Sequence, residues 1–441
     1  MKPVLSWGRI NDKYCNVVRA DYFADPNLLT IAESSDNGML LAHGMGRSYG
    51  DSGLNKGGVI FQTTRQNHIL DFDTQTGIIK ARAGITLEEI LRVSVPQGWF
   101  LPVTPGTKYV TLGGAVANDV HGKNHHKVGS LGAHIMRLSL TRSDRKTVIC
   151  SPRTQKKLFN MTIGGLGLTG FINWVEFKLK PIESSYLETE NIPYTSLDEF
   201  FSLSEESAKW PYTVAWIDCF APKSKQGRGI FTRAKFSNYG ALDIHRDDHI
   251  ATWPFVTPAL FLNRFSITAF NFLYRWRPGA RMKGRSHYDS FFYPLDGINH
   301  WNRLYGKAGF FQHQSLIPLE RSKEGIGDLL DIIKESKQGS FLAVLKLHGP
   351  EYSPGTMSFC RPGKGVSLAL DFANKGQKTR QLLERLDACV LKHNGRTYPA
   401  KDGRMSAQTF QTAFPQWTKL EAMRDPKFSS SFWRRVSQTT S

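Results

Sequence analysis

Residues 118–130, NDVHGKNHHKVGS, hold three histidines, His121, His125 and His126, beside Lys123 and Lys127. His121 and His125 are four apart, a spacing that on a helix offers a two-histidine metal pair. Gly122 between them opposes a helix, and Asp119 is the only carboxylate close by. A solvated basic loop and the edge of a cofactor crevice are the alternatives. The preceding run, PVTPGTKYVTLGGAVA (102–117), is small, apolar and glycine-punctuated. Gly106, Gly113 and Gly114, with Ala115 and Ala117, leave room either for a flat ligand or for close helix–strand packing.

Two more glycine segments flank this one. In HGMGRSYGDS (43–52), Gly44, Gly46 and Gly50 let backbone N–H groups form an anion nest, with Arg47, Ser48 and Tyr49 adding a charge and hydroxyls. A tight hairpin turn reads equally well. The segment lacks the G-K-[ST] ending of a Walker loop and the third glycine of a Rossmann fingerprint. IGGLGLTGFI (163–172) is the third. Three such segments in one stretch of chain suit a long ligand with a pyrophosphate. Further along, Gln312 and Gln314 alternate on a strand-like run and so share a face. Lys346 interrupts the otherwise apolar strand FLAVLKLHG.

The elements that must position these residues are short. MLLAHG, GVIFQT, HILDFD and GIIKARAG read as strands between glycine turns. TLEEILRVSVPQGW reads as a helix capped by Thr86, with Glu89 three positions on and Gly98 at its end. Near residue 185 the texture changes to strand-like runs such as TVAWIDCF (213–220), basic loops and two amphipathic helices, RSKEGIGDLLDIIKES and KTRQLLERLDACVLKHNG. RWRPGARMKGRSHYDS (275–290) is basic, aromatic and poor in core residues, so a mobile surface loop is expected there. The run 255–276 is apolar but interrupted by Asn263, Arg264 and Asn271, and reads as a buried or membrane-surface element.

At 441 residues the chain can build two or three domains. Its 40% hydrophobic and 22% charged residues are those of a globular protein. The net charge of +19 points to an anionic partner: nucleic acid, an anionic membrane surface or a phosphorylated substrate. Five cysteines without a CxxC exclude a zinc ribbon and argue for a reducing compartment. The first residues lack the apolar core of a signal peptide. No uncharged apolar run reaches the roughly 18–20 residues that span a bilayer.

HGMGRSYGD, PVTPGTKYVTLGGAVANDVHGKNHH and GGLGLTGFI resemble the flavin-binding domain of the vanillyl-alcohol oxidase superfamily. The HGKNHH string, with TVAWIDCF, FFYPLDGINHWNRLYGKAGFFQHQSLIP, FLAVLKLHGP and TYPAKDGR, resembles its branch of polyprenylphosphoryl-ribose oxidases over nearly the whole chain. The resemblance implies an α+β fold: a two-part FAD-binding domain (1–184, joined by a returning segment, 396–441) with an inserted substrate domain on an antiparallel sheet (185–395). It implies that FAD lies against His43, Gly44, Met45, Gly46, Arg47, Ser48, Tyr49, Gly50, Asp51 and Ser52. Gly106, Thr111, Leu112, Gly113, Gly114, Asn118, Asp119, Val120, His121, Ile172 and Tyr398 complete that set. Arg47 stands where relatives carry a flavin-bonded histidine, so FAD is expected to be non-covalent. Ala369 stands where a mycobacterial member carries a cysteine.

Lys401 and His121 are then the expected catalytic residues. A cation beside flavin and substrate hydroxyl stabilises negative charge, and a buried lysine can act as a base. Trp216, Tyr305, Gln312, Gln314 and Lys346 are expected to hold the sugar. No metal is expected. The implied reaction is FAD-dependent oxidation of the 2-hydroxyl of a polyprenylphosphoryl ribose, with a separate NAD(P)H-dependent short-chain reductase completing an epimerisation. A free-sugar aldonolactone or alditol oxidase is the enzymatic alternative, and a basic RNA- or membrane-binding protein the non-enzymatic one. The expected location is cytoplasmic, with peripheral association at the inner face of the cell membrane and no role for nucleic acid.

Overall fold

The fold is organised by two antiparallel sheets whose alternating faces are divided between core and cavity. The computed structural model describes residues 2–10, 12–19, 27–245, 251–253, 262–360 and 362–438. Near the N-terminus a four-stranded sheet runs in the order Lys2–Leu5, Asp12–Arg19, Val59–Gln62, Leu40–His43, the last three strands paired in parallel. A five-stranded antiparallel sheet follows, in the order Ile69–Asp73, Ile78–Arg82, Phe171–Lys178, Ile135–Thr141, Thr147–Cys150. The helix Leu87–Ser94 packs on it and has the expected cap. Thr86 Oγ1 accepts from Glu89 N (3.1 Å), Glu89 Oε2 accepts from Thr86 N (2.7 Å), and Gly98 leaves the following turn at φ +79°.

The second half builds an eight-stranded sheet. Its order is Lys283–His287, Tyr186–Tyr194, Gly229–Phe236, Tyr212–Ile217, Ala343–His348, Gly365–Ala373, Phe310–Pro318, Arg396–Thr397. One face carries Ala215, Ile217, Phe231, Phe311, Leu345, Leu368 and Leu370 into a core with the helices Leu319–Ser336 and Gln377–Lys392. The period of two puts Val214, Trp216, Gln312, Gln314, Val344, Lys346 and Ala369 on the other face, which floors the cavity described below. Both helices stand where the sequence places them. All five cysteines are buried, and no disulfide joins them among the described residues.

One expectation changes. Residues 275–290 do not form a loop throughout. The helix Arg264–Trp276 runs into the segment, Lys283–His287 is an edge strand paired with Tyr186–Glu190, and Tyr288–Phe292 is a short helix. Side-chain composition reads as surface because those side chains are exposed, while the backbone is fixed by its ladder. Of the apolar run 255–276, residues 255–261 lie outside the described residues.

Beyond Arg396–Thr397 the chain crosses back. Met405, Phe410, Phe414, Phe432 and Trp433 pack on Met161, Leu166 and Leu168. Arg435 Nη2 donates to Asp51 Oδ1 (2.7 Å) and to Asp402 Oδ2 (3.0 Å), joining the first glycine loop to the turn that holds Lys401. Among the described residues no helix is long and apolar enough to cross a membrane.

Candidate active site

A cavity of about 980 Å³ opens between the three glycine segments and the polar face of the eight-stranded sheet. It lies at the top of the roughly 300–1,000 Å³ usual for ligand pockets. The first loop leaves the strand Leu40–His43 and is pinned on both sides. Tyr49 N donates to Ala400 O (3.0 Å), Trp7 N to Ser48 O (2.9 Å), and His43 shares a hydrogen bond with Gly53 O (2.8 Å). Gly44 and Gly50 are where glycine is required: a Cβ would run into Thr111 at the one and into the Asp402 backbone at the other. Arg47 Nη1 donates to Met45 O (2.7 Å), and its guanidinium lies 4.3 Å from the Trp7 ring centre.

The second segment is a short helix, Leu112–Ala117, capped by Thr111, whose hydroxyl accepts from Gly114 N (3.2 Å). Gly113 N donates to Ala83 O (2.7 Å). The third segment is stitched to the end of that helix through Gly164 N to Val116 O (2.9 Å) and Leu166 N to Ala117 O (2.8 Å). The chain turns at Asp119, which has φ +43° and is fully buried. Its carboxylate accepts from Ser130 Oγ (2.8 Å), Gly132 N (2.8 Å), Ser358 Oγ (2.5 Å) and Ser353 Oγ.

The cavity wall brings together most of the expected residues. His43, Gly44, Met45, Gly46, Arg47, Ser48, Tyr49, Ser52, Gly106, Thr111, Gly113, Gly114, Asn118, Val120, His121, Ile172 and Tyr398 line it. So do Lys401, Trp216, Gln312, Gln314, Lys346 and Ala369. Five others stand behind the wall. Gly50 packs on Asp402, Asp51 pairs with Arg435, Leu112 is in the core, and Asp119 anchors its turn. Tyr305 stacks on Phe310 (4.3 Å between ring centres), with its hydroxyl 3.4 Å from Asp371.

Lys401 is the focus of the electrostatics. Its Nζ lies 4.0 Å from the Tyr49 ring centre. Burial pulls its pKa down to about 8, against the pull of the Asp371 carboxylate. Burial also pushes Asp371 up to about 7, although Gln312 Nε2 donates to it at 2.6 Å. Lys346 is lowered by burial to about 8, and Lys123 by burial, with Lys346 adding, to about 7. His121 is held neutral by burial and by Lys346, and its Nε2 meets Gln314 Nε2 at 2.9 Å. That contact makes His121 Nε2 the acceptor, with the proton on Nδ1. Sequence reading missed Asp371 and the cavity-lining Trp7 and Lys123. Asp371, an acid in the apolar strand GVSLALDFA, carries the same signal that singles out Lys346.

The comparisons with known proteins agree with this geometry. Residues 29–151 match the FAD binding domain family. The chain is 32% identical to decaprenylphosphoryl-β-D-ribose oxidase of Mycolicibacterium smegmatis, over 99% of this chain and 97% of that protein. This chain belongs to the decaprenylphosphoryl-β-D-ribose oxidase family. It is an FAD-dependent oxidoreductase with an α+β FAD-binding fold. An uncharacterised protein of the mprA 5′ region in Streptomyces coelicolor is 28% identical over 80% of this chain and all of its own length. A D-lactate dehydrogenase of Anaerostipes hadrus shares 28% identity over 32% of this chain and 31% of its own.

The wall fits the cofactor. Gly106 and Gly167 both line the cavity, and a Cβ at either would project into open space, so backbone is exposed to a ligand there. Arg47 and the first loop supply charge and donors, and Lys401, whose Nζ lies over the Tyr49 ring of that loop, shares the wall with His121 and Tyr398.

The Lys401–Asp371 pair gives a direct prediction. Asp371 opposes the desolvation of Lys401, so Asp371→Asn should lower the lysine pKa further below about 8. Lysine side-chain NMR, with the Lys401 resonance assigned by its loss in Lys401→Arg, should show its titration moving to lower pH. A titration that stays put or moves up refutes the pairing.

Proposed function

We propose that this chain oxidises the 2-hydroxyl of a polyprenylphosphoryl ribose to a keto sugar. In this reading FAD is held non-covalently by the three glycine segments, within a two-part cofactor domain that the C-terminal segment rejoins. The observation that carries the reading is the meeting of Lys401, Lys346, His121 and two glutamines in the same cavity that the three glycine segments line. The relative's name supplies the sugar and the lipid. A separate nicotinamide-dependent reductase completes the epimerisation, since this chain carries no nicotinamide fingerprint.

Bound FAD supplies the acceptor for the hydride leaving carbon. The chain's own residues handle the proton and the geometry. Lys401 Nζ takes the hydroxyl proton. An exposed lysine would keep its own proton at neutral pH, but burial brings this one to about 8, where a neutral fraction is present to act as a base. The charge of Asp371 favours the resulting ammonium. Gln312 and Gln314, side by side on the sheet, orient sugar hydroxyls, with Gln314 positioned by His121. Lys346 offers a charge to the phosphodiester or to a sugar oxygen, and Trp216 offers a flat apolar wall beside Tyr274 (4.9 Å between ring centres).

Peripheral membrane association is part of the same reading. The helix Arg264–Trp276 turns Ile267 and Asn271 inward, where Asn271 donates to Asp218 (2.6 Å). Its outer face carries Phe265 (84% exposed), Phe272 (59%), Leu273 (67%) and Trp276 (59%). These sit at i, i+7, i+8 and i+11, one stripe of the helix. Exposed Arg281, Lys283 and Arg285 follow. Tyr274, on the opposite face, and Arg277 at the helix end line the cavity, so the helix borders it. An apolar stripe with basic neighbours suits the interface of an anionic bilayer, at about 1 kcal/mol per basic residue.

Four outcomes are expected. Purified protein should be yellow, and acid precipitation should release the colour; colour retained in the pellet means a covalent flavin. Lys401→Ala should keep its flavin but lose substrate-driven bleaching by about 100-fold or more, the scale of a lost general base. Wild-type protein should oxidise lipid-linked ribose in preference to free aldonolactones and alditols, and the opposite preference overturns the substrate assignment. Finally, replacing Phe272, Leu273 and Trp276 with serine should abolish pelleting with anionic vesicles and reduce turnover of the long-chain substrate selectively. Undiminished pelleting rules the helix out as the docking element.

A further inference from the structure

Behind the cavity wall lies a cluster that the oxidation does not use. His125, His348 and Cys360 each offer one ligand atom, and these atoms lie within 4.8 Å of one another. The three residues are 1%, 1% and 3% exposed. None lines the cavity, although His121, which does, packs against His348 (5.0 Å between ring centres). They come from distant parts of the chain: the loop after the second glycine segment, the end of the strand Ala343–His348, and the 353–360 connection.

The cluster is polar and buried, and three of its four imidazole nitrogens are without a partner among the described residues. Among the described residues neither ring nitrogen of His125 has a hydrogen-bond partner, and neither has Nδ1 of His348. A buried polar atom left without a partner costs on the order of 1–3 kcal/mol. Three in one place, beside a thiol, are a cost that a fold sheds unless something fills the gap. His348 Nε2 is held by Ser367 Oγ at 2.9 Å, which fixes the ring and leaves Nδ1 as the nitrogen available to a ligand. An outer partner on the second ring nitrogen is the usual arrangement for a metal-ligating histidine. The rings of His125 and His348 stand 4.3 Å apart at 38°, and burial is the main cause keeping both neutral, the form that coordinates.

We propose that His125, His348 and Cys360 form a binding site for a thiolate-preferring transition metal ion, Zn²⁺ in the first instance, that clips the histidine loop to the substrate sheet. Two imidazoles and one thiolate are a donor set that zinc accepts, with the fourth tetrahedral position left to water. Hard cations such as Mg²⁺ and Ca²⁺ are disfavoured because the site has no carboxylate. Binding displaces the Cys360 proton to solvent and forms the metal–sulfur bond, with no change of oxidation state. Burial and the Asp119 carboxylate raise the Cys360 thiol, against the pull of Lys346, so the metal itself must displace that proton. The ion's place is structural. It sits behind His121 and steadies that side of the cavity without touching it.

The test uses the flavin-loaded full-length protein. Chelator-stripped protein is titrated with Zn²⁺ alone against a chromophoric competitor, and with Co²⁺ to read the thiolate-to-cobalt absorption and the ligand-field bands beyond the flavin spectrum. One ion per chain and a thiolate–cobalt band are expected. Cys360→Ser should lose that band, and His348→Phe should weaken Zn²⁺ binding below detection, whereas His126→Asn, a neighbour outside the cluster, should behave as wild type. Retained flavin absorbance and cooperative melting identify variants that have folded. If a variant does not fold, the wild-type cobalt spectrum is compared with that of Cys389→Ser, which removes the thiol of the other grouped set among the described residues, Asp328, Cys389 and His393; a thiolate band lost there overturns the proposal. Failure of stripped wild-type protein to bind either ion, or a cobalt spectrum without a thiolate band, overturns the proposal.

Discussion

The buried carboxylate of Asp119 is the constraint on which the rest of the site depends. It sits at a left-handed turn and gathers three serine hydroxyls and one backbone N–H from two separate stretches of chain. A charge out of water is tolerated only when its acceptor sites are filled in this way. Because Ser353 and Ser358 come from the connection after the strand Ala343–His348, the same carboxylate sets the distance between the glycine segments and the sheet floor. The cavity is therefore a gap between two bodies held at a fixed spacing, and its width follows from hydrogen bonds outside its own wall.

Inside that gap the balance of charge is unusual. Lys123, Lys346 and Lys401 approach one space and are all destabilised as cations by burial. Asp371 is the acid whose charge opposes the desolvation of Lys401, and burial makes it too resist ionisation. Such a wall is poised to bind an anion and to exchange protons near neutrality. A polar floor requires a sheet with one wet face, which an antiparallel sheet with helices on one side supplies.

Much of this was legible in the sequence, where local rules are strong. The Thr86–Glu89 box, the glycine end of that helix and the period-two face carrying Gln312, Gln314 and Lys346 all follow from short-range chemistry. The resemblance placed Lys401, which spacing alone does not distinguish from a surface lysine. The departures have physical causes. Reading a motif as a continuous run assigns every residue to the ligand, but a turn or helix shows only some of its side chains to one side; Gly50, Asp51, Leu112 and Asp119 face away. Tyr305 turns to a buried acid. The segment 275–290 looked unstructured because edge strands reveal themselves through backbone pairing, which composition does not record.

The Arg435 bridge has a consequence for how the molecule is made. Its partners, Asp51 and Asp402, belong to the first loop of the site and to the turn beside the reactive lysine. The last helix of the described chain thus fastens together elements translated near the beginning and close to the end. The arginine is synthesised after both of its partners, 384 residues beyond Asp51 and 33 beyond Asp402. Vectorial synthesis therefore makes both sides of the crevice before the side chain that latches them together.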